Sequence, residues 1–227
     1  MSKIRQNLES VRKRIASSAS ACGRDASSIK LVAVSKTHKA EAIREAFEAG
    51  QRAFGENYAQ ELRDKAASLS GLEIEWHYIG HLQRNKAKYV APVAAFVESV
   101  DSLELAEAVS RRAGHRIGCL IEVNIGEEKT KSGVDPSSVV ELARCVTALP
   151  NLDLQGLMVI PPFEADGEKS RPYFRSLREL LAKTNGALAP FCMTELSMGM
   201  SHDFEVAIEE GATIVRVGTA IFGDRDQ

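Results

Sequence analysis

Short runs rich in β-branched and other apolar residues recur along the chain, and each is followed by a segment in which apolar residues return every three or four positions. The first pattern predicts buried strands and the second predicts amphipathic helices. Several runs are almost continuously apolar, as expected for parallel strands covered on both faces. The eight predicted strands are residues 30–35, 52–55, 75–79, 96–100, 118–124, 153–160, 194–197 and 213–217.

Two architectures satisfy this alternation: an open doubly wound sheet, and a closed barrel in which every strand is followed by a helix. Eight units favour closure, so the predicted fold class is α/β, a single (β/α)8 TIM barrel. An additional helix is predicted before the first strand, because Ile4, Leu8, Val11 and Ile15 share one helical stripe. No Pro-rich or Ser-rich linker divides residues 1–227, so we expect one domain.

Capping residues predict where several helices start and stop. The predicted starts are Asp101 with Glu104 three residues later, and Asp135 before Pro136; the predicted ends lie just before Gly50 and Gly211.

Composition narrows the class of protein. The 29 basic and 31 acidic residues alternate and give a net charge of -2, so no broad positive surface is expected to bind nucleic acid. No continuous apolar run predicts a signal peptide or a membrane span. The four cysteines form no C-x-x-C pair, which favours a reducing compartment. We therefore expect a cytoplasmic protein that contacts neither nucleic acid nor membrane.

Lys36 is the first candidate for chemistry, because it directly follows the first predicted strand. Active sites of such barrels gather at the carboxyl ends of the strands. Apolar or cationic surroundings favour the neutral amine, and only that form attacks an aldehyde or ketone. The alternative is a solvated lysine at the start of a loop.

A second candidate lies in the loops after the seventh and eighth strands. Gly199 and Gly218 let backbone N–H groups approach an anion, Ser201 and Thr219 add hydroxyls, and a helix is predicted to begin near His202. Barrels commonly place a phosphate between these two loops. The alternatives are that Gly218 eases a turn and that Ser201 caps a helix.

Closure of the barrel would make the first and last strands neighbours, which brings a reactive amine beside a phosphate site. This combination suits a phosphorylated aldehyde such as pyridoxal 5'-phosphate. Arg216, on the eighth strand, could then face the ring nitrogen of that cofactor, or alternatively form an ion pair that stabilises the barrel.

A family resemblance supports this interpretation. The chain carries the motifs AVSKT (33–37), FGENY (54–58), WHYIGHLQRNK (76–86), KSGV (131–134), GLM (156–158), LSMGMSHDF (196–204) and VRVGTAIFG (215–223). In this order they resemble the YggS/PROSC family of pyridoxal phosphate homeostasis proteins over about residues 1–225. His81 departs from the family, in which that position varies and often holds proline, so it is assigned no role.

The resemblance implies a barrel like the N-terminal domain of alanine racemase, with pyridoxal phosphate held on Lys36 as a Schiff base. It implies phosphate contacts from Ser201, Gly218 and Thr219, and places Arg216 against the ring nitrogen. Asn57 and Ser197 are weaker candidates for the pocket, since Asn57 could cap a helix and Ser197 could only support its loop.

The function implied is intracellular homeostasis of pyridoxal phosphate, with exchange of the cofactor with acceptors such as pyridoxal phosphate-dependent apoenzymes. We expect no robust reaction and a monomer. The chain ends soon after the eighth strand, so we expect no second domain of the kind that supplies a tyrosine base in alanine racemase.

Two other functions stay open at this stage. A small enzyme could use the same Schiff base for slow racemisation or transamination, with Tyr58, His77, His81 or His202 as proton carriers. An aldolase-like barrel could instead form a Schiff base between Lys36 and a sugar phosphate.

Two further clusters of charged or metal-binding residue types are assigned no function. No metal site is expected from His77 and His81, because no cysteine or second carboxylate completes it. Glu127, Glu128, Lys129 and Lys131 are interpreted as a solvated loop.

Overall fold

The strands of this chain close into one parallel barrel. The structure is a computed structural model that describes residues 2–126, 132–162 and 166–223. Its strands, numbered β1 to β8 in chain order, are Lys30–Val34, Ala53–Glu56, Glu75–Tyr78, Phe96–Val100, Ile117–Glu122, Leu152–Met158, Glu195–Ser197 and Ile214–Val217. All eight predicted strands are present, and their ends differ from the prediction by at most two residues.

Closure is set by the pairing of the first and last strands. Each strand pairs in parallel with the next one along the chain, and β1 pairs with β8 from Lys30 opposite Ile214 to Ala33 opposite Val217. This pairing excludes the open doubly wound sheet, in which the first and last strands would not meet. The predicted (β/α)8 barrel is confirmed.

Helices surround the barrel and cover its outer face. Numbered α1 to α9 in chain order, the described α-helices are Lys3–Ala21, Ala40–Glu48, Ala59–Ser68, Ala87–Val90, Leu103–Ser110, Val139–Thr147, Arg171–Leu188, Phe204–Glu209 and Thr219–Phe222. Short 3-10 turns lie at Ala26–Ser28, Arg84–Lys86, Pro136–Ser138 and Gly167–Ser170. The main apolar core lies between these helices and the strands.

The additional N-terminal helix is confirmed as α1. Leu8, Val11 and Ile15 of the predicted stripe are buried, Ile4 is half-buried, and Ala19 extends the buried face. This face packs against α2, α8 and α9, so the helix covers the part of the barrel near the seam between β1 and β8.

One predicted helix start is wrong by a residue. Ser102 rather than Asp101 is the N-cap of α5. Asp101 instead accepts a hydrogen bond from the Ser102 hydroxyl at 3.1 Å and lies 3.4 Å from His81, so its carboxylate is engaged outside the helix.

The remaining predicted helix boundaries are confirmed. Asp135 caps the turn Pro136–Ser138, which leads into α6, by accepting from the Ser137 N–H at 2.8 Å. Gly50 and Gly211 follow helix ends with φ of +89° and +105°.

The barrel interior holds a second, smaller apolar cluster. Its members come from five strands, including β2 and β5, which are not neighbours, so the cluster spans the interior: Val32, Ala53, Leu120, Met158 and Ile214. Within the described residues, no helix is both long and apolar enough to cross a membrane. All four cysteines are free thiols.

Candidate functional site

A cavity of about 300 Å³ opens at the carboxyl end of the barrel. Its wall is formed by residues that end or follow β1, β2, β3, β6, β7 and β8, together with Arg216 from within β8: Val34, Lys36, Asn57, Ile79, Ile160, Met200, Ser201, His202, Arg216, Gly218 and Thr219. Six of the seven residues predicted for the site therefore lie together. The seventh, Ser197, lies behind Arg216 rather than in the wall.

Lys36 directly follows β1, and the backbone just before it is held by a buried polar cluster. The Ser35 hydroxyl donates to Glu56 Oε1 at 2.6 Å. The Lys65 ammonium donates to the Ser35 carbonyl oxygen and to Glu56 Oε1, both at 2.7 Å. Burial raises the pKa of Glu56, and the charge of Lys65 opposes that shift. The end of β1 is thus fixed by a buried ion pair.

The backbone just after Lys36 is held as well. Thr37 has φ of +67°, a left-handed conformation that is uncommon for a residue with a side chain. Its N–H donates to Glu61 Oε1 at 2.7 Å, and Glu61 is itself paired with Lys65 at 2.7 Å. Both flanks of Lys36 are therefore connected through Lys65, and none of these partners was predicted from the sequence.

The predicted anion site lies where the loops after β7 and β8 meet. Ser201 Oγ accepts from the Gly218 N–H at 3.3 Å and from the Ala220 N–H at 3.4 Å, so its hydroxyl is directed at the start of α9. Gly218 and Thr219 line the same wall. The helix predicted near His202 begins at Phe204, and Ser201 is the N-cap of neither α8 nor α9.

Gly199 has a different role from the one predicted. It does not line the cavity wall. Its φ is +91°, and a Cβ at this position would lie 2.6 Å from the Cβ of Ala207 and 2.9 Å from the Cα of Phe204. Its carbonyl oxygen accepts from the Arg216 N–H at 3.0 Å. Glycine is needed here so that the loop after β7 can approach α8.

Arg216 is almost fully buried and reaches the cavity from β8. Its Nη1 donates to Ser197 Oγ at 2.5 Å, and its Nη2 donates to the Val159 carbonyl oxygen at 2.8 Å. Glu98 Oε2 lies 3.9 Å from Nη1. Arg216 thus both lines the cavity and takes part in the ion pair that was its alternative interpretation.

Asn57 has a buried oxygen that is available for a ligand. Among the described residues its Oδ1 has no hydrogen-bond partner, although it lies away from solvent. A buried acceptor of this kind is costly unless a donor reaches it. Tyr58, not Asn57, is the N-cap of α3, so the capping role considered for Asn57 is not realised.

The four candidate proton carriers separate in the structure. His202 lines the cavity. Tyr58 is 56% exposed at the start of α3, and His81 is exposed in the loop after β3 near Asp101. His77 is on β3, as predicted, but is fully buried and hydrogen-bonded between Glu75 and Glu98.

No group of three or more His, Cys, Asp or Glu side chains is arranged to hold a metal ion in the described part of the chain. The loop formed by Glu127, Glu128, Lys129 and Lys131 lies outside the described residues, as does the first residue of the KSGV motif.

Comparison with known proteins assigns the family. A model of the alanine racemase N-terminal domain matches residues 1–226. The chain belongs to this family. A pyridoxal phosphate homeostasis protein of Aquifex aeolicus is 45% identical over 226 residues, covering 97% of both chains. The protein of that name in Pseudomonas aeruginosa is 47% identical over 229 residues, covering 100% of this chain and 97% of its own. The resemblance found in the motifs is confirmed, and these relatives are named as homeostasis proteins rather than as enzymes.

Solved structures agree with this assignment. PipY of Synechococcus elongatus PCC7942 without PLP is 38% identical with a TM-score of 0.86, covering 97% of this chain and 100% of that chain. The same protein with PLP bound gives 37% identity and a TM-score of 0.85 over the same shares. Alanine racemase of Corynebacterium glutamicum, 18% identical with a TM-score of 0.71, matches over 98% of this chain and 61% of its own length. It shares the fold.

Proposed function

We propose that this chain binds pyridoxal 5'-phosphate in the cavity at the carboxyl end of the barrel and serves pyridoxal phosphate homeostasis. One observation carries the proposal: a single cavity contains a lysine, a cluster of hydroxyl and amide groups at the seam, and a buried arginine. The name shared by the close relatives, and a related structure with PLP bound, support it.

The cavity residues fit the three ends of this cofactor. The Lys36 amine forms a Schiff base with the aldehyde and releases water. Ser201, Gly218 and Thr219 offer hydroxyl and N–H groups to the phosphate. Arg216 faces the ring nitrogen. Asn57 Oδ1, to which no described protein group donates, accepts a hydrogen bond from the bound cofactor. Ser197 acts by holding Arg216.

Arg216 also argues for a carrier rather than an enzyme. When bound, pyridoxal phosphate supplies a ring that draws electrons from an attached amino acid most strongly when its nitrogen is protonated. Burial lowers the pKa of Arg216, but a guanidinium retains its proton in proteins. A cation at this position disfavours a proton on the ring nitrogen. The chain therefore holds the cofactor in a form that assists carbanion chemistry only weakly.

Because the bound cofactor is poorly suited to catalysis here, the proposed role is to carry it. The protein exchanges its cofactor with acceptors, including pyridoxal phosphate-dependent apoenzymes, in the cytoplasm, and acts as a monomer. Mixing the loaded protein with an apo-aminotransferase should restore aminotransferase activity without free cofactor in excess. Retention of all the cofactor by this protein would contradict exchange.

The first test is covalent mapping of the cofactor. We expect protein purified without added cofactor to show a visible imine band that borohydride bleaches. Trypsin does not cleave after a modified lysine, so the label should appear on the peptide spanning residues 31–39, with Lys36 internal and Lys39 at its end. Label on another peptide would contradict the assignment of Lys36.

Matched lysine variants complete this test. Lys36→Ala should keep its fold, with stability changed by less than about 1 kcal/mol, because it removes an amine from a cavity wall and no core packing. It should form no imine when pyridoxal phosphate is added. The control Lys39→Ala, an exposed neighbour, should label normally. A folded Lys36→Ala protein that still forms an imine would overturn the proposal.

Weak amino acid racemisation or transamination is the second candidate, and the position of His202 in the cavity wall is the observation that favours it. Incubation of the loaded protein with L-alanine in deuterated water distinguishes the two functions. We expect no deuterium at the alpha carbon, whereas incorporation that is lost in His202→Gln would establish the enzyme.

A further inference from the structure

A chain of buried polar side chains crosses the barrel interior and ends at Arg216. Ser197 Oγ donates to Glu98 Oε2 at 2.5 Å while it accepts from Arg216. The other oxygen of Glu98 lies 2.5 Å from His77 Nδ1, and His77 Nε2 lies 2.8 Å from Glu75 Oε1. Because β4 and β7 are not neighbours, the contact between Glu98 and Ser197 must cross the interior.

The chain continues to the opposite end of the barrel. Glu75, the first residue of β3, accepts from the ammonium of Lys30, the first residue of β1, at 2.5 Å. Both side chains are partly exposed and line a second cavity of about 500 Å³. Because parallel strands begin at the same end, this cavity lies at the amino end of the barrel. The polar chain thus joins the two ends.

The charges along this chain alternate in sign. Burial acts to lower the pKa of His77, but the hydrogen bonds and charges of Glu75 and Glu98 outweigh it and raise that pKa. Burial acts to raise the pKa of Glu98, but the hydrogen bond and charge of His77 and the charge of Arg216 hold it below its usual range. The hydrogen bond from His77 lowers the pKa of Glu75 to about 2.

We propose that Glu98 and His77 are positioning residues that hold Arg216 in the cavity wall, with His77 kept as a cation between two carboxylates. The hydrogen bonds of Arg216 to Ser197 and to the Val159 carbonyl fix the plane of its guanidinium. Glu98 orients the serine hydroxyl, and His77 orients Glu98. The effect on ligand binding rests on the proposed function, whereas the arrangement itself is a property of the chain alone.

Stability alone does not explain a chain of buried charges. Buried charges are expensive to remove from water, and apolar residues of similar size often stabilise a fold as well or better. A chain of buried charges that ends at a cavity-lining arginine is therefore better explained by the need to hold that arginine than by stability. If Glu98 were uncharged, Arg216 would lose its nearest described counter-charge across the interior.

The groups that act on His77 set its protonation. Glu75 faces it from its own strand and Glu98 from β4, Lys30 of β1 reaches it through Glu75, and the ring of Phe96 stacks on it at 4.6 Å. Both facing carboxylates favour the cation. His77 is therefore expected to remain protonated as the pH rises through the range in which an ordinary histidine loses its proton.

The test begins on protein without cofactor, so that it stands apart from the proposed function. The probes are nitrogen-15 NMR signals of the Arg216 guanidinium and of the His77 ring. In the unchanged chain, slow hydrogen exchange is expected at Arg216 and a cationic ring at His77 through neutral pH. In Glu98→Gln, exchange at Arg216 should quicken about tenfold or more, because the charged acceptor that orients the Ser197 hydroxyl becomes neutral and Arg216 loses the counter-charge 3.9 Å away. His77 should then titrate at lower pH.

Ser197→Ala separates a positioning role from a merely structural one and is mild enough to fold. It removes the hydroxyl between Glu98 and Arg216 but leaves His77 between its two carboxylates. Arg216 should then exchange quickly while His77 keeps its high titration point. The control is Glu210→Gln, which removes another buried carboxylate, one paired with Arg171, Arg175 and Arg178 on the outside of the barrel. It should leave both signals unchanged.

Binding of added pyridoxal phosphate supplies the last readout. Glu98→Gln and Ser197→Ala should each weaken binding about tenfold, and Glu210→Gln should not. A neutral His77 at neutral pH, or unchanged Arg216 exchange in folded Glu98→Gln and Ser197→Ala, would overturn the inference. If the unchanged chain binds no pyridoxal phosphate, the proposed function fails while the NMR signals still decide this inference.

Discussion

Replacing Lys65 by methionine tests how the backbone around Lys36 is held. Lys65 is 7% exposed, and its ammonium bridges the Ser35 carbonyl, Glu56 and Glu61. Methionine keeps most of the length of the side chain but removes the charge and the hydrogen bonds. Glu56, which is fully buried, then has no cation within the cluster.

The loss of stability in Lys65→Met is limited because Glu56 can be protonated. Removing one partner of a buried ion pair costs about 3–5 kcal/mol when the other stays charged. Glu56 can instead take up a proton, which at pH 7 costs about 3.4 kcal/mol from its ordinary pKa of 4.5. The cost is limited to the smaller of the two, and improved packing of methionine returns part of it. We expect Lys65→Met to lower the free energy of unfolding by about 2–3 kcal/mol at pH 7.

Protonation of Glu56 makes the stability of this variant depend on pH. In Lys65→Met the folded-state pKa of Glu56 is raised above its unfolded value, so the proton uptake is free of cost below the unfolded pKa and costly above it. At pH 5 that cost falls to about 0.7 kcal/mol. The difference in stability between the variant and the unchanged chain should therefore shrink as the pH is lowered from 7 to 5.

Urea unfolding of the cofactor-free protein at both pH values measures these differences. The matched control is Lys13→Met, an exposed lysine on α1, which should change stability by less than about 0.5 kcal/mol. Adding Glu56→Gln to Lys65→Met should recover part of the loss at pH 7, because the buried charge is gone. A Lys65→Met protein as stable as the Lys13→Met control, or a loss that does not depend on pH, would refute the reasoning.

Three further predictions concern stability. A Cβ on Gly156 would lie 1.9 Å from the Glu195 carbonyl oxygen, so Gly156→Ala should separate β6 from β7 and cost more than about 4 kcal/mol, seen as insoluble or unfolded protein. Gly186→Ala, in α7 with open space around the new methyl, should raise the free energy of unfolding by about 0.5–1 kcal/mol, seen as a higher urea midpoint. A lower midpoint would contradict the helix assignment. The hydrogen bond from His77 lowers the folded-state pKa of Glu75 to about 2, so the stability that Glu75 contributes is present above pH 4.5 and is lost as the pH falls towards 2. This contribution is about 1–2 kcal/mol after solvent screening. Glu75→Gln should therefore make the free energy of unfolding fall less steeply between pH 4.5 and pH 2.

Local patterns were sufficient to predict the barrel. Each strand is a short apolar run with its own turn signals, and eight of them in alternation with helices leave few architectures available. The positions at which the strands end could also be predicted from the sequence. Because catalytic and binding groups of a barrel follow its strands, Lys36, Ser201 and Gly218 could be assigned to one cavity before their contacts were known.

The partners of those residues could not be predicted in the same way. Glu98 and His77 lie in strands whose sequence gives no sign of which side chains meet across the interior, since that depends on the register and stagger of strands far apart in the chain. Lys65 lies on an ordinary amphipathic helix, where a lysine is normally solvated. Buried polar partners of this kind are set by tertiary geometry rather than by local pattern.

The pairing of β1 with β8 has a consequence for the order of events during synthesis. Lys36 leaves the ribosome before Ser201, Gly218 and Thr219, because it precedes them by more than half of the barrel. The amine and the loops proposed to bind an anion become neighbours only when β8 docks against β1. A chain that still lacks β8 would thus present the lysine without the proposed phosphate contacts. If the proposed function holds, tight capture of a phosphorylated ligand would report that the barrel has been completed.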